Sequence, residues 1–192
     1  MCNFISWIEF EGGDTLFLTA KDIYETKRGE ELRFHCQSVD DLVGHGAIRW
    51  YYHDILGGKE IERINFSSPK NFPNKIVKAI KDGEFRGLAV IPSLLVQTIR
   101  IKYNRLQGSA LAEYNRAWRS ALAEYHKALG PVQAEYVKTG GSTLAKYKKV
   151  QEPAWAEFKR VDESAQAEYE KVRQTIFWDL FSNPKNRVKA WR

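Results

Sequence analysis

From Ile101 to about Val172 the apolar positions recur with a period of eleven residues. The mark of each copy is an Ala, a charged residue and an aromatic: Ala112-Glu113-Tyr114, Ala123-Glu124-Tyr125, Ala134-Glu135-Tyr136, Ala145-Lys146-Tyr147, Ala156-Glu157-Phe158 and Ala167-Glu168-Tyr169, after a degenerate Ile101-Lys102-Tyr103. Eleven residues close three turns at about 3.67 residues per turn, so each copy returns to nearly the same side of an α-helix. With the Ala as slot one, the apolar slots are three, six and ten. They predict a continuous stripe through Ala110, Tyr114, Ala117, Ala121, Tyr125, Ala128, Val132 and Tyr136, then through Tyr147, Val150, Ala154, Phe158, Val161, Ala165, Tyr169 and Val172. Leu111, Trp118, Leu122, Leu129, Leu144, Trp155 and Phe177 widen its edge, so the buried side should be broad.

Gly130-Pro131 and Gly140-Gly141 punctuate the repeat, because proline lacks an amide donor and glycine leaves a helix at little cost. The pattern therefore predicts helices over about 109–129, 131–139 and 142–180, with Ser142 as the cap of the last. Gly140-Gly141 should fold that helix back along the earlier ones, aromatic stripe against aromatic stripe; opened out, the same stripe would join two chains. Pro153 should occupy a first turn or a kink.

Before the repeat the pattern is mixed. Phe4 to Phe10 and Thr15 to Leu18 flank Gly12-Gly13-Asp14 and predict a β-hairpin. Thr19 should cap a short helix near Lys21 to Tyr24, and Glu30 to Cys36 a second. The run from Asp40 to His53 holds Trp50-Tyr51-Tyr52 and reads as a helix end or strand packed in the core. Glu60 to Phe66 predicts a third strand, 67–73 a polar loop, and Lys75 to Ile80 a short helix stopped at Gly83. The fold class expected is α+β: a small domain over 1–90, a helical arm of eleven-residue (hendecad) repeats over 91–181 folded back as a hairpin, and a basic tail over 182–192.

Charge changes this picture only in part. Residues 1–90 carry 12 Lys and Arg against 14 Asp and Glu, whereas residues 91–192 carry 18 against 10, so the net +6 of the chain belongs to the repeat half. Slot five is basic in every copy: Arg105, Arg116, Lys127, Lys138, Lys149, Arg160 and Lys171. Glu at slot two lies three residues earlier in most copies, which predicts a salt-bridged, solvated row. The same row, with cations about 16 Å apart, could face an anionic partner, a host protein or nucleic acid. Two cysteines, Cys2 and Cys36, cannot form a disulfide framework and suit a reducing cytoplasm. No window predicts a membrane span or a secretory signal. An amphipathic helix lying on a membrane is disfavoured by the Ala-rich apolar side with its Gly and Pro interruptions.

The combination of Phe17-Leu18-Thr19, Lys27-Arg28-Gly29, Gly44-His45-Gly46-Ala47-Ile48-Arg49-Trp50-Tyr51-Tyr52, the Ala-Glu-Tyr repeats and the ending Phe177-Trp178-Asp179-Leu180-Phe181 resembles uncharacterised proteins of bacterial and phage genomes. The resemblance spans nearly the whole chain and implies a phage or prophage setting, with repeat number varying between members. It carries no activity and no functional residue.

Candidate chemistry is sparse. His45 between two glycines is the first candidate for ligand binding or catalysis, since small neighbours let a ligand approach; a structural hydrogen bond in a tight turn is the plainer reading. Lys27, Arg28 and Arg49 could hold a phosphate-rich ligand near the basic helices. His35, Cys36, His45 and His53 are metal-binding types, but no paired spacing supports a metal site. A Cys36 nucleophile with His45 or His35 is no better supported. Neither Gly12-Gly13 nor Gly57-Gly58 sits in a phosphate-loop frame, so no cofactor is expected. Tyr at slot three invites base stacking, yet it lies with the Ala and Val slots. The expectation is a non-enzymatic cytoplasmic binding protein. A nucleic-acid or nucleotide binder using the basic row, and an enzyme centred on His45, are the alternatives.

Overall fold

A computed structural model describes residues 4–35, 45–53 and 55–192. It combines a small three-stranded sheet with two long helices packed as a hairpin, as the sequence pattern predicts. The chain divides into two compact units, one of Met1–Arg105 with Arg173–Arg192 and one of Leu106–Val172.

In the first unit, β1 (Ile5–Glu9) and β2 (Thr15–Leu16) form the expected hairpin, turning through Gly12 and Gly13 at φ of 106° and 86°, values that favour glycine. The third strand, β3 (Lys59–Arg63), pairs antiparallel on the other side of β1, giving the order β2-β1-β3 with Trp7 opposite Ile61. Ile5, Ser6, Trp7 and Ile8 are all buried, so β1 is covered on both faces. The outer strand β3 is instead mostly exposed and charged, which discourages edge-to-edge pairing.

Thr19 caps α1 (Ala20–Glu25) as expected, in a full capping box with Asp22. The second helix, α2 (Lys27–His35), starts earlier than the pattern predicts, because Gly29 is a buried helical residue and not a break. The aromatic run after it is a helix, α3 (His45–Tyr51), and no strand. Next, α4 (Asn74–Asp82) ends at Gly83 in the left-handed conformation.

Tyr52 follows α3 and donates its hydroxyl to the Phe17 carbonyl at 3.0 Å. Burial, with Asp22 and Tyr51 nearby, pushes its phenol up to about 12. A phenol raised above its unfolded value near 10 contributes stability that is complete below about pH 10 and lost as pH rises towards 12. We expect the first unit to weaken across that alkaline window, and Tyr52→Phe to flatten the dependence there while losing one hydrogen bond. Denaturant midpoints measured from pH 9 to 12 check this.

The long helices differ from the sequence reading. α5 (Gln97–Lys138) is continuous, running straight through Gly130-Pro131. An interior proline removes one backbone hydrogen bond and costs about 3 kcal/mol in an isolated helix. Here it sits at slot nine on the exposed side, with buried Leu129 and half-buried Val132 holding the helix on either side. Pro153 falls in the same slot and is likewise interior and exposed in α6 (Leu144–Ser182). Gly140 and Gly141, at φ of 59° and 90°, make the reversal as predicted. Ser142 lies within that turn, since α6 begins two residues later.

Residues 182–192 do not trail off the first unit. Val96 N–H donates to the Asn186 carbonyl and Val188 N–H to the Leu94 carbonyl, both at 2.9 Å. Trp191 is fully buried, and its indole N–H reaches the Phe66 carbonyl at 2.7 Å. Arg187 is buried too, donating to the carbonyls of Phe181 and Lys81 over the Phe181 ring; burial lowers its pKa.

Candidate functional site

The eleven-residue period sets the geometry of the second unit. Tyr114 faces Tyr169, Tyr125 faces Phe158 and Tyr136 faces Tyr147, with ring centroids 6.0, 6.0 and 5.4 Å apart. One aromatic pair per repeat makes a rung, and the rungs recur about every 16 Å along the helices. Between rungs the stripe is Ala and Val, small enough for close helix approach.

The two sides of this stripe are covered unequally. On one side lie slots seven and eleven, with Trp118, Leu122 and Trp155. Trp118 meets Phe158 edge-on at 6.4 Å, and Trp155 lies 5.6 Å from Tyr125 and stacks on Phe158 at 5.3 Å. Large side chains thus fold over the rung. On the other side the adjoining slots hold Ala, Ser and Glu, and the stripe stays open.

An open groove of about 540 Å³ results, lined by Ala117, Ala121, Ala128, Ala154 and Val161 over Tyr125 and Phe158, with Glu124 and Glu157 at its rims. A smaller hollow of about 180 Å³ repeats the same slots one copy further along, with Glu113 and Glu168 at the rims and Tyr114 and Tyr169 below. At the rung nearest the turn, slot two is Glu135 on α5 and Lys146 on α6, and these pair across the groove at 2.5 Å. That pair shows that opposite rims come within reach of each other.

The structure brings the basic row into three states. Lys127, Arg160 and Lys171 pair with Glu124, Glu157 and Glu168 three residues earlier, at 3.4, 2.7 and 3.9 Å, as the spacing predicts. The fork from Arg160 holds Glu157 below the usual carboxylate range. Glu135, which the spacing would give to Lys138, is used by Lys146 instead. Among the described residues Arg116, Lys138 and Lys149 form no ion pair, and all three are exposed. Arg105 belongs to the first unit. Over 106–172 there are ten Lys and Arg against nine Asp and Glu, so the basic excess of the C-terminal half lies outside the hairpin unit.

In the first unit, Arg28 is engaged in several contacts. Its guanidinium stacks over Trp50 at 3.7 Å, donates to the Trp50 carbonyl at 2.8 Å, pairs with Glu31 at 3.1 Å and lies 3.1 Å from His53 Nδ1. Arg49 pairs with Glu60 and donates to the Ile55 carbonyl at 3.0 Å. Lys27 is exposed at the start of α2 and joins neither cluster. His53 takes φ of 49°, a left-handed conformation uncommon for a side-chain-bearing residue. His45 opens α3, but its side chain, with Cys2, Cys36 and Gly44, lies outside the described residues. His35 packs edge-on to Trp50 at 6.1 Å.

The groove rims Glu113, Glu124, Glu157 and Glu168 were not candidates in the sequence. Their signal was present: slot two lies on the wheel beside the alanine slot six. No helix among the described residues is long and apolar enough to cross a membrane. Comparison with known proteins finds no match for this chain among protein-family models, curated proteins or solved structures.

Proposed function

We propose that this chain is a non-enzymatic binding protein of phage or prophage origin that acts in the cytoplasm and engages a host macromolecule through its helical hairpin. A host protein of a bacterial defence system is the partner put first. The genomic setting rests on the resemblance of the sequence. The observation that carries the binding reading is the slot-eleven edge of the aromatic stripe in the second unit, where Leu111, Leu144 and Trp155 remain about 40 to 47% exposed. Exposed apolar surface of this kind marks interaction sites. The near balance of charge over 106–172 favours a protein partner over nucleic acid, which needs a surplus of cations.

The test is recovery of the tagged protein from a bacterial lysate with and without nuclease. A stoichiometric protein partner that survives nuclease supports the reading; nucleic acid alone, lost on digestion, replaces it with the nucleic-acid alternative. Within the hairpin unit, Arg116, Lys138 and Lys149 are the cations of the row that form no ion pair among the described residues. Reversing all three to Glu is expected to weaken partner binding about tenfold, mostly through a slower on-rate that is relieved at high salt. Unchanged binding by a variant of normal helicity removes the electrostatic part of the proposal.

A further inference from the structure

We propose that the open groove of the hairpin is closed by a second copy of this chain, giving a four-helix dimer; this stands independently of which host partner the protein engages. An apolar stripe needs a second layer to bury it, and two helices supply cover on one side only. In this unit just Leu129 and Phe158 are buried apolar residues, and Tyr114, Tyr125, Tyr136, Tyr147 and Tyr169 stay half-buried.

Two properties of the groove select its occupant. Its rungs recur every eleven residues, so a helix making the same contact at each rung must carry the same period. Its rims are carboxylates above an aromatic floor, which suits a lysine or arginine whose stem lies on the rings while its head reaches the rim. The chain's own slot five meets both requirements, with a cation every eleven residues beside the small slot-one alanines. The Lys146–Glu135 pair shows a lysine reaching a groove rim within one chain.

The register follows from the rungs. Arg116 lies two residues past Tyr114, and Glu168 one residue before the facing Tyr169; Lys127 and Glu157 stand in the same relation to Tyr125 and Phe158. In a two-fold dimer whose axis runs along the hairpin, α5 of one copy lies in the groove of the other. Arg116 and Lys127 then come level with Glu168 and Glu157 of α6 in the second copy. Those carboxylates keep lone pairs to share beyond their single cation from within the chain.

Sedimentation velocity of the full chain is the experiment. A two-chain species is expected at about 100 μM and below, the range of a modest dimer. Ala128→Lys puts an ammonium into the groove and should weaken the dimer about 100-fold, with helicity by circular dichroism unchanged. Lys127→Glu should weaken it about fivefold, and adding Glu157→Lys should restore it, since the exchanged charges meet again across the dimer. A single-chain mass at about 100 μM overturns the proposal, as does a dimer indifferent to Ala128→Lys. Loss of the dimer with host-partner capture intact supports this inference and leaves the proposed function standing. A dimer of the unmodified chain that captures no host partner removes only that function.

Discussion

Replacing Trp191 by Ala is expected to destabilise the first unit by about 4 kcal/mol, a large share of a typical domain's stability of about 5 to 15 kcal/mol. The residue lies within 182–192, which reads in the sequence as a basic tail. Its surroundings say otherwise. The ring has no exposed surface and packs with Phe66 and Phe72 at centroid distances of 6.5 and 5.9 Å. Its N–H satisfies the Phe66 carbonyl, buried among the same rings. The alanine variant leaves a cavity and an unsatisfied acceptor together. Trp191→Phe separates the two: it refills much of the volume and should cost about 1 to 2 kcal/mol, the share of the lost hydrogen bond. Guanidinium unfolding followed by tryptophan fluorescence measures both. A loss below about 1 kcal/mol for Trp191→Ala would show that residues 182–192 do not hold the unit together.

The helical hairpin was legible because a period is a statement about packing. A side chain that returns to the same face every eleven residues can meet its counterpart on a returning helix only at the same rung, and Tyr114, Tyr125 and Tyr136 do so. The glycines at 140 and 141 then fix where the chain reverses. What stayed hidden depends on contacts distant in sequence. Pro131 reads locally as a break, and its slot-nine exposure tells only when the neighbouring helix is known to hold Leu129 and Val132 in place. Residues 182–192 read as a basic tail, yet Arg187 and Trp191 are buried through carbonyls of residues 81 and 66, separations of over a hundred residues. The groove was half legible: the wheel places alanine and glutamate on one side of the stripe and leucine and tryptophan on the other, but not which side remains open.

Gly29→Ala is expected to destabilise the first unit by about 3 kcal/mol or more, although glycine to alanine within a helix ordinarily stabilises by up to about 1 kcal/mol. Gly29 lies inside α2 with ordinary helical φ, so conformational strain does not decide the sign. Space does. A Cβ there would stand 2.3 Å from the carbonyl oxygens of Asp22 and Ile23 and 2.6 Å from the Ile23 carbonyl carbon, all backbone atoms of α1. No rotamer change relieves a clash with backbone, so α1 and α2 must separate. That movement breaks the bonds between them, Gly29 N–H to Thr26 Oγ1 at 3.0 Å and Thr26 Oγ1–H to the Asp22 carbonyl at 2.6 Å. It also shifts the neighbouring Arg28 off Trp50. The close approach gives a physical reason for glycine in Lys27-Arg28-Gly29. Gly108→Ala is the control, since a Cβ at that helical position meets nothing within 4 Å and should add about 0.5 to 1 kcal/mol. Opposite signs for the two substitutions, read from denaturant midpoints, are the expected result; a gain of stability at Gly29 would mean that α1 and α2 are not packed backbone to backbone.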